Sequence, residues 1–436
     1  MSRLAQNMLV TLCALTRTTE RAARRRGVGY FLPALFVDRF TKLGGIDREQ
    51  FATQLDGCRS FTDQAWATYW RAFADEQLVV AGVALDRLGG PNIGQPLDRE
   101  SEDVVKQVRD VLSPAWEVFT DRAPHSVRSF ASEHPEQADA AVAVDALAKA
   151  MTYLFAASWP GWTQRRLQAY ADSRRLFDVL LRALAPAMGV HVEVFTLDMG
   201  DDAITGYAIL PSGVERAPAI LVTNGLEGTI QEVALPALRH RPPDTALFVM
   251  EMPGTFAYRQ PLSLASERYY RAALDHVSAH PRIDGDRIGM LGMSFGAHWS
   301  TRMAARDKRL KAVVSNGGPY HRGFKAAATF GMPEIMLWTL QKTTGTRNPL
   351  DLSRTLGAWS LRQVYREIPI PVLAINGDTD TLVPTQDTVD LAQAAPRGEL
   401  KLYPNDDHCA MGHYDECIGY STSWLQQHLQ AKTPTR

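Results

Sequence analysis

The sequence predicts an α/β fold, a mostly parallel sheet with helices on both faces, preceded by a helical N-terminal domain. Three observations carry this reading. Residues 288–296, I-G-M-L-G-M-S-F-G, form an apolar run ending in G-x-S-x-G. Such a run reads as a buried strand turning abruptly into a helix, with one hydroxyl left at the corner. Apolar spacing is helical over the first 190 residues and becomes extended at 191–197. Beyond that point short apolar runs alternate with helical stretches, so right-handed crossovers on a parallel sheet are the economical topology.

A chain of 436 residues exceeds what one hydrophobic core usually serves, so two domains are expected. They divide at the change of period: a helical domain over 1–188, which would at most shape a pocket for its neighbour, and an α/β domain over 189–436. Apolar residues make up 45% and charged residues 22%, the balance of an ordinary soluble globular protein. A formal net charge of -1 recommends neither nucleic acid nor an anionic membrane as partner. Cys13, Cys58, Cys409 and Cys417 form no C-x-x-C pair and fit a reducing compartment. Residues 7–15 have the flavour of a signal segment, but the basic stretch at 17–26 follows them instead of preceding them. They are read as an amphipathic first helix of a cytoplasmic protein. No run approaches the length needed to cross a bilayer.

In the first half, residues 31–43 carry apolar residues three and four apart and stop at Gly44-Gly45. Residues 46–55 open a further segment. Ser60, with Asp63 three residues on, reads as an acidic capping box. The helix it starts stacks Trp66 over Trp70 with Tyr69 beside them, a stripe expected to be packing surface more than pocket wall. Residues 88–98 are rich in Gly and Pro and read as a loop. Helical pattern resumes at 102–119, interrupted at Pro114, and again at 140–157. Trp159-Pro160-Gly161-Trp162 breaks it, and a last helix spans 163–184. This half shows no nucleotide loop and no metal-ligand spacing, so no cofactor is expected.

In the second half, runs at 191–197 and 204–210 flank a turn at 198–202 and predict a hairpin at a sheet edge. Nearly all-apolar runs at 219–223 and 246–250 suit interior parallel strands. The first ends in N-G-L-E-G and the second in E-M-P-G. A helix at 264–276, the serine strand and its helix, and a strand at 312–315 follow. Residues 320–367 are a long mixed insertion, read as a small lid folded over the active site. Strands return at 371–375 and 400–403, and a helix at 416–429 closes the pattern.

A serine hydroxyl needs a base, and the base an acid that fixes its tautomer. The order expected for this topology is Ser, then Asp or Glu, then His, each after a strand. Ser294, Asp380 and His408 supply it. Asp378 competes with Asp380, but the residues between Asp380 and Pro384 let that side chain descend towards an imidazole, whereas Asp378 is expected to hold the turn. An oxyanion hole requires backbone donors: the amide of Phe295, and one from Gly225 or Leu226. Glu227, His298, His321 and His413 are candidate substrate contacts, each with a plainer reading. Glu227 suits a helix cap, His298 a packed helix residue, and His321 and His413 solvated positions. His408 and His413 lack a third ligand at suitable spacing for a metal.

These motifs resemble a group within the α/β-hydrolase superfamily. It holds the fermentation-respiration-switch-like esterases, 2,6-dihydroxypseudooxynicotine hydrolase and the fungal pigment-pathway polyketide-shortening hydrolases. The similarity runs from S-F-T-D at 60–63, with Trp66 and Trp70, through 153–160 to N-G-L-E-G at 224–228. It continues with E-M-P-G at 251–254, G-M-S-F-G at 292–296, N-G-D-T-D-T-L-V-P at 376–384 and D-H-C at 407–409. Residues 89–135 stand apart from it, and Asn224 departs from the usual Gly-Gly start of the first loop. The resemblance implies the α/β-hydrolase fold, a helical domain over the sheet's active-site edge, and often a homodimer. It also implies Ser294, Asp380 and His408 as the triad. Its members cleave carbon–carbon bonds next to a ketone as well as esters.

The expected partner is a small-molecule carbonyl compound, bulky and aromatic or polyketide-like, with neither nucleic acid nor membrane involved. The expected reaction is hydrolysis through an acyl-enzyme. The same triad would serve an acyltransferase if water were excluded, and the fold alone would serve a binding or regulatory protein.

Overall fold

Residues 3–92 and 101–430 are described in the structure, a computed structural model. Part of the loop expected at 88–98, and of the divergent stretch at 89–135, lies outside them. Contacts divide the chain into one unit of Thr19–Val192 and another of Met1–Thr18 with Glu193–Arg436.

Helix α1 (Arg3–Thr16) counts with the second unit. The first contains α2 (Thr19–Arg26), α3 (Leu35–Gly44), α4 (Arg48–Gly57), α5 (Asp63–Arg87), α6 (Glu102–Leu112), α7 (Trp116–Thr120), α8 (Ser126–Glu133), α9 (Ala138–Ser158) and α10 (Gln164–Leu184). Alanine-rich α9 is buried almost all round, as expected of a helix apolar on every side. Its small side chains let α5 lie close, and the Trp66 indole N–H donates across to the Ala156 carbonyl at 2.8 Å. Trp66 and Trp70 are wholly buried, and Trp70 stacks on Phe51 with ring centroids 4.9 Å apart. The stripe is thus core of this unit.

By length and composition, residues Pro135–Ser158 could cross a bilayer, which corrects the expectation that no run could. The window is 83% buried within the fold, as a central core helix would be.

Two arginines in this unit satisfy backbone carbonyls from inside. Arg122 donates to Val118 and Gly44 carbonyls at 2.7 and 2.6 Å and to Asp145 at 3.1 Å. Arg166 donates to those of Trp159 and Phe61, and burial pushes its pKa down to about 10. The capping box expected at Ser60 does not form. Helix α5 begins after Thr62 with no side-chain cap, because Ser60 Oγ donates instead to Glu20 at 2.7 Å.

The second unit is built on an eight-stranded sheet: β1 (Val190–Asp198), β2 (Ala203–Pro211), β3 (Ala217–Thr223), β4 (Ala246–Met250), β5 (Ile283–Met293), β6 (Leu310–Asn316), β7 (Val372–Gly377) and β8 (Gly398–Tyr403). Spatial order is β1-β2-β4-β3-β5-β6-β7-β8. Strand β2 runs antiparallel to β4, and the remaining pairings from β4 to β8 are parallel. Every residue of β3 and β4 is buried, as strands covered on both faces must be. Crossovers are made by α11 (Ile230–Arg239), α12 (Glu267–Ala279), α13 (Phe295–Arg306), α14 (Glu334–Thr344), α15 (Pro349–Gly357) and α16 (Thr385–Ala394), and α17 (Tyr414–Gln430) closes the unit.

From β3 the chain goes to β4 on one side, then returns to β5 on the other. This reversal opens a crevice at the carboxyl ends of β3 and β5, where open α/β sheets bind ligands. The insertion between β6 and β7 carries α14 and α15. The Asp387 carboxylate anchors its start, accepting from the amides of Tyr320, His321, Arg322 and Gly323 at 2.7–3.3 Å. Helix α1 docks here too, with Val10 and Cys13 buried and Thr11 Oγ1 accepting from the Gly331 amide at 2.8 Å. For that reason the first helix groups with the sheet, although the sequence places it in a helical region over 1–188.

Candidate active site

Strand β5 ends at Met293 and α13 begins at Phe295, leaving Ser294 alone at the corner with φ 52° and ψ -124°. A non-glycine residue there is strained by about 1–3 kcal/mol. The Ser294 amide donates to the Asn316 carbonyl at 2.7 Å, which pins the corner to β6. Both flanking glycines are required by close approach. A Cβ on Gly292 would lie 2.3 Å from the Gly296 carbonyl oxygen, and one on Gly296 2.4 Å from that of Asn224.

His408 arrives from the loop after β8. Its Nε2 lies 2.8 Å from Ser294 Oγ, and its Nδ1 lies 2.7 Å from Asp380 Oδ2. A carboxylate only accepts, so Nδ1 carries the proton and Ser294 Oγ–H donates to Nε2. The Asp380 side chain is wholly shielded from solvent. Its Oδ1 accepts from the amides of Leu382 and Val383, both at 2.8 Å, and its Oδ2 also accepts from Asn376 Nδ2 at 2.9 Å. Asp378 is exposed, and its amide donates to the Tyr403 carbonyl. Of the two carboxylates the sequence offers, Asp380 therefore meets the imidazole. Burial alone would depress the His408 pKa, but the Asp380 charge and hydrogen bond outweigh it and hold it well above 6.5.

The acid and base loops are tied together. Asp407 accepts from the Thr381 amide at 2.7 Å and from its hydroxyl at 3.0 Å. Asn376 Oδ1 accepts from the Cys409 amide at 2.9 Å. Cys409 and Ala410 both have positive φ, the sharp turn that presents His408. Asn316 Nδ2 donates to the Cys409 carbonyl at 3.2 Å and to Cys417 Sγ at 3.2 Å, which ties that turn to β6 and α17.

The loop after β3 brushes the serine: a Cβ on Gly225 would lie 2.6 Å from Ser294 Cβ and 3.0 Å from Oγ. The Gly225 backbone thus passes close beside the hydroxyl, and Phe295, which follows the serine as first residue of α13, has an amide with no partner inside the helix. Asn224, which departs from the usual Gly-Gly, braces this loop. Its Oδ1 accepts from the Met252 amide at 2.8 Å and its Nδ2 donates to the Gly225 carbonyl at 3.1 Å. Buried Glu251 accepts from the Ile230 amide at 3.1 Å, a carboxylate at the positive end of α11.

The other candidates are dispersed. Glu227 sits half-buried on the β3 loop. His298 is wholly buried on α13. His321 Nδ1 lies 2.8 Å from Ser360 Oγ in the insertion. His413 lies 2.8 Å from Asp406 and stacks on Tyr403. Sequence reasoning missed Asn376, Asn316 and Asp387. Asn376 opens the quoted N-G-D-T-D motif, and its position just before the turn was the available signal.

Among curated proteins the chain is similar to esterase FrsA of Vibrio cholerae serotype O1, 27% identical over 300 residues covering 66% of this chain and 71% of that one. A Photobacterium profundum esterase FrsA is 25% identical over 301 residues, covering 66% and 70%. Among solved structures, 2,6-dihydroxy-pseudo-oxynicotine hydrolase superposes with a TM-score of 0.58 at 20% identity, covering 82% of this chain and 97% of that one. AbyA5 superposes with a TM-score of 0.57 at 22% identity, covering 71% and 89%. At these identities the structures share the fold. The esterase FrsA-like profile matches residues 127–430, most of the chain and a span within which Ser294, Asp380 and His408 fall. The chain belongs to the esterase FrsA-like family of α/β-hydrolases.

Proposed function

We propose that the protein is a serine hydrolase that cleaves an ester, or a carbon–carbon bond next to a ketone, through an acyl-enzyme. The observation that carries this is the relay Ser294 Oγ–His408 Nε2 at 2.8 Å and His408 Nδ1–Asp380 at 2.7 Å, with the serine held on a strained elbow. Ser294 attacks the substrate carbonyl as His408 takes its proton. The oxyanion is held by the Phe295 amide and by that of Gly225 or Leu226. The imidazolium then protonates the leaving group, an alkoxide or a carbanion stabilised by its neighbouring carbonyl. Water, deprotonated by His408, releases the acid and restores the hydroxyl.

The aromatic residues Phe324 and Trp359 of the insertion, whose ring centroids lie 5.9 and 6.1 Å from that of Phe295, support a lid role for residues 320–367 and a bulky, aromatic or polyketide-like substrate. A fluorophosphonate probe followed by peptide mass analysis tests the reading. Wild type should be labelled at Ser294 and Ser294→Ala should not be. Labelling at another residue, or none, would sink the assignment.

A further inference from the structure

His298 lies one helical turn beyond Ser294 on α13 and is wholly buried. Its Nδ1 lies 3.2 Å from the Pro319 carbonyl. A carbonyl only accepts, so Nδ1 carries a proton. Burial pushes the ring's pKa down to about 3, so the imidazole is neutral and Nε2 is a bare acceptor. Among the described residues Nε2 finds no hydrogen-bond partner. An acceptor buried without a donor is destabilising, and aliphatic packing would have served this position without that cost.

What surrounds the ring says what could use it. Phe295 and Phe324 lie with ring centroids 5.8 and 5.3 Å from the imidazole, and Trp359 at 6.4 Å. Phe295 directly follows Ser294, and the other two belong to the insertion. Flat aromatic walls around one fixed acceptor suit a planar ring that bears a donor.

We propose that His298 is a specificity residue for hydroxylated aryl substrates, its Nε2 accepting a hydrogen bond from a substrate hydroxyl when Phe324 and Trp359 move aside. This deepens the hydrolase reading and rests on it. A site built to receive a hydroxyl rejects the analogue lacking it, because the buried acceptor is then left unpaired.

The test separates Nε2 from the rest of the ring. His298→Asn keeps an N–H near the position of Nδ1, for Pro319, and deletes the Nε2 acceptor. Acetophenone and its 2-, 3- and 4-hydroxy isomers are measured as competitive inhibitors of 4-nitrophenyl acetate hydrolysis. Wild type should bind at least one hydroxy isomer about tenfold more tightly than acetophenone, the worth of one such hydrogen bond. In His298→Asn that preference should vanish while acetophenone binds as before. Equal inhibition by all four compounds in wild type, or a preference that survives in His298→Asn, overturns the proposal. Fluorophosphonate labelling of Ser294 in both proteins keeps the two readings apart. Labelling with no hydroxyl preference removes the role of His298 alone, whereas loss of labelling in wild type removes the hydrolase reading beneath it.

Discussion

Asn376 Nδ2 lies 2.9 Å from Asp380 Oδ2, the same oxygen that accepts the hydrogen bond from His408 Nδ1–H. The other end of that amide accepts from the backbone of Gly377 and Cys409. One buried side chain thus sets the positions of both the acid and the base. Asn376→Ala should lower kcat about tenfold or more with little change in KM, since about 1–3 kcal/mol of positioning is lost. Steady-state kinetics check this. A change confined to KM would place Asn376 outside the relay.

The pH profile should carry the mark of Asp380. Only neutral His408 can take the serine proton, and its pKa is raised well above 6.5 by Asp380 against the opposing effect of burial. The acid limb of kcat/KM should therefore lie above pH 6.5. In Asp380→Asn it should move to lower pH while kcat falls about 10⁴-fold. The same shift links to stability, because a raised folded pKa means that the fold favours the protonated ring. That contribution is complete below the unfolded value and is lost as pH rises through the folded one. Tm measured across that window should fall in wild type and stay flatter in Asp380→Asn.

The β3 loop can be tested without touching a side chain of the relay. Gly225→Ala would bring a Cβ to 2.6 Å from Ser294 Cβ, so loop or serine must shift. Activity should drop about 10²-fold or more, the cost of a displaced oxyanion donor, while circular dichroism stays that of the wild type. Full activity would mean that the loop has room the structure does not show.

In the helical unit, Trp70 fills a fully buried position against Phe51. Trp70→Ala should destabilise that unit by about 3–5 kcal/mol, read as a lower urea midpoint in chemical denaturation. A shift under 1 kcal/mol would show that the site collapses around the gap.

Much of the site was legible because each of its parts follows an apolar strand and stands in a short, glycine-marked motif. G-M-S-F-G and N-G-D-T-D each announce a strand end, and His408 falls just after one. The spacing to Pro384 already favoured Asp380 over Asp378, and the backbone supplies the detail the spacing could not: the amides of Leu382 and Val383 hold Asp380 inward. Asn316 and Asp387 were invisible for a related reason. Their partners lie as far as 101 and 67 residues away, and nothing in a local window distinguishes a buried polar brace from a surface one. The false capping box at Ser60 shows the converse: a good local pattern lost to Glu20, 40 residues upstream. Strands β3 and β4 were readable from composition, whereas the early start of β5 at Ile283 was not, because Asp284, Asp286 and Arg287 are polar and lie partly or fully exposed.

The strand order has a consequence for how the protein comes into being. Ser294 follows β5, Asp380 follows β7, and His408 follows β8, the edge strand reached last in the chain. On the roles proposed here, a chain emerging from the ribosome has its nucleophile long before it has its base. It stays chemically silent until β8 has docked on β7, the last strand pairing the chain can make. Serine labelling should accordingly be among the last signals to return on refolding, so that the reactive centre reports the completion of its own scaffold.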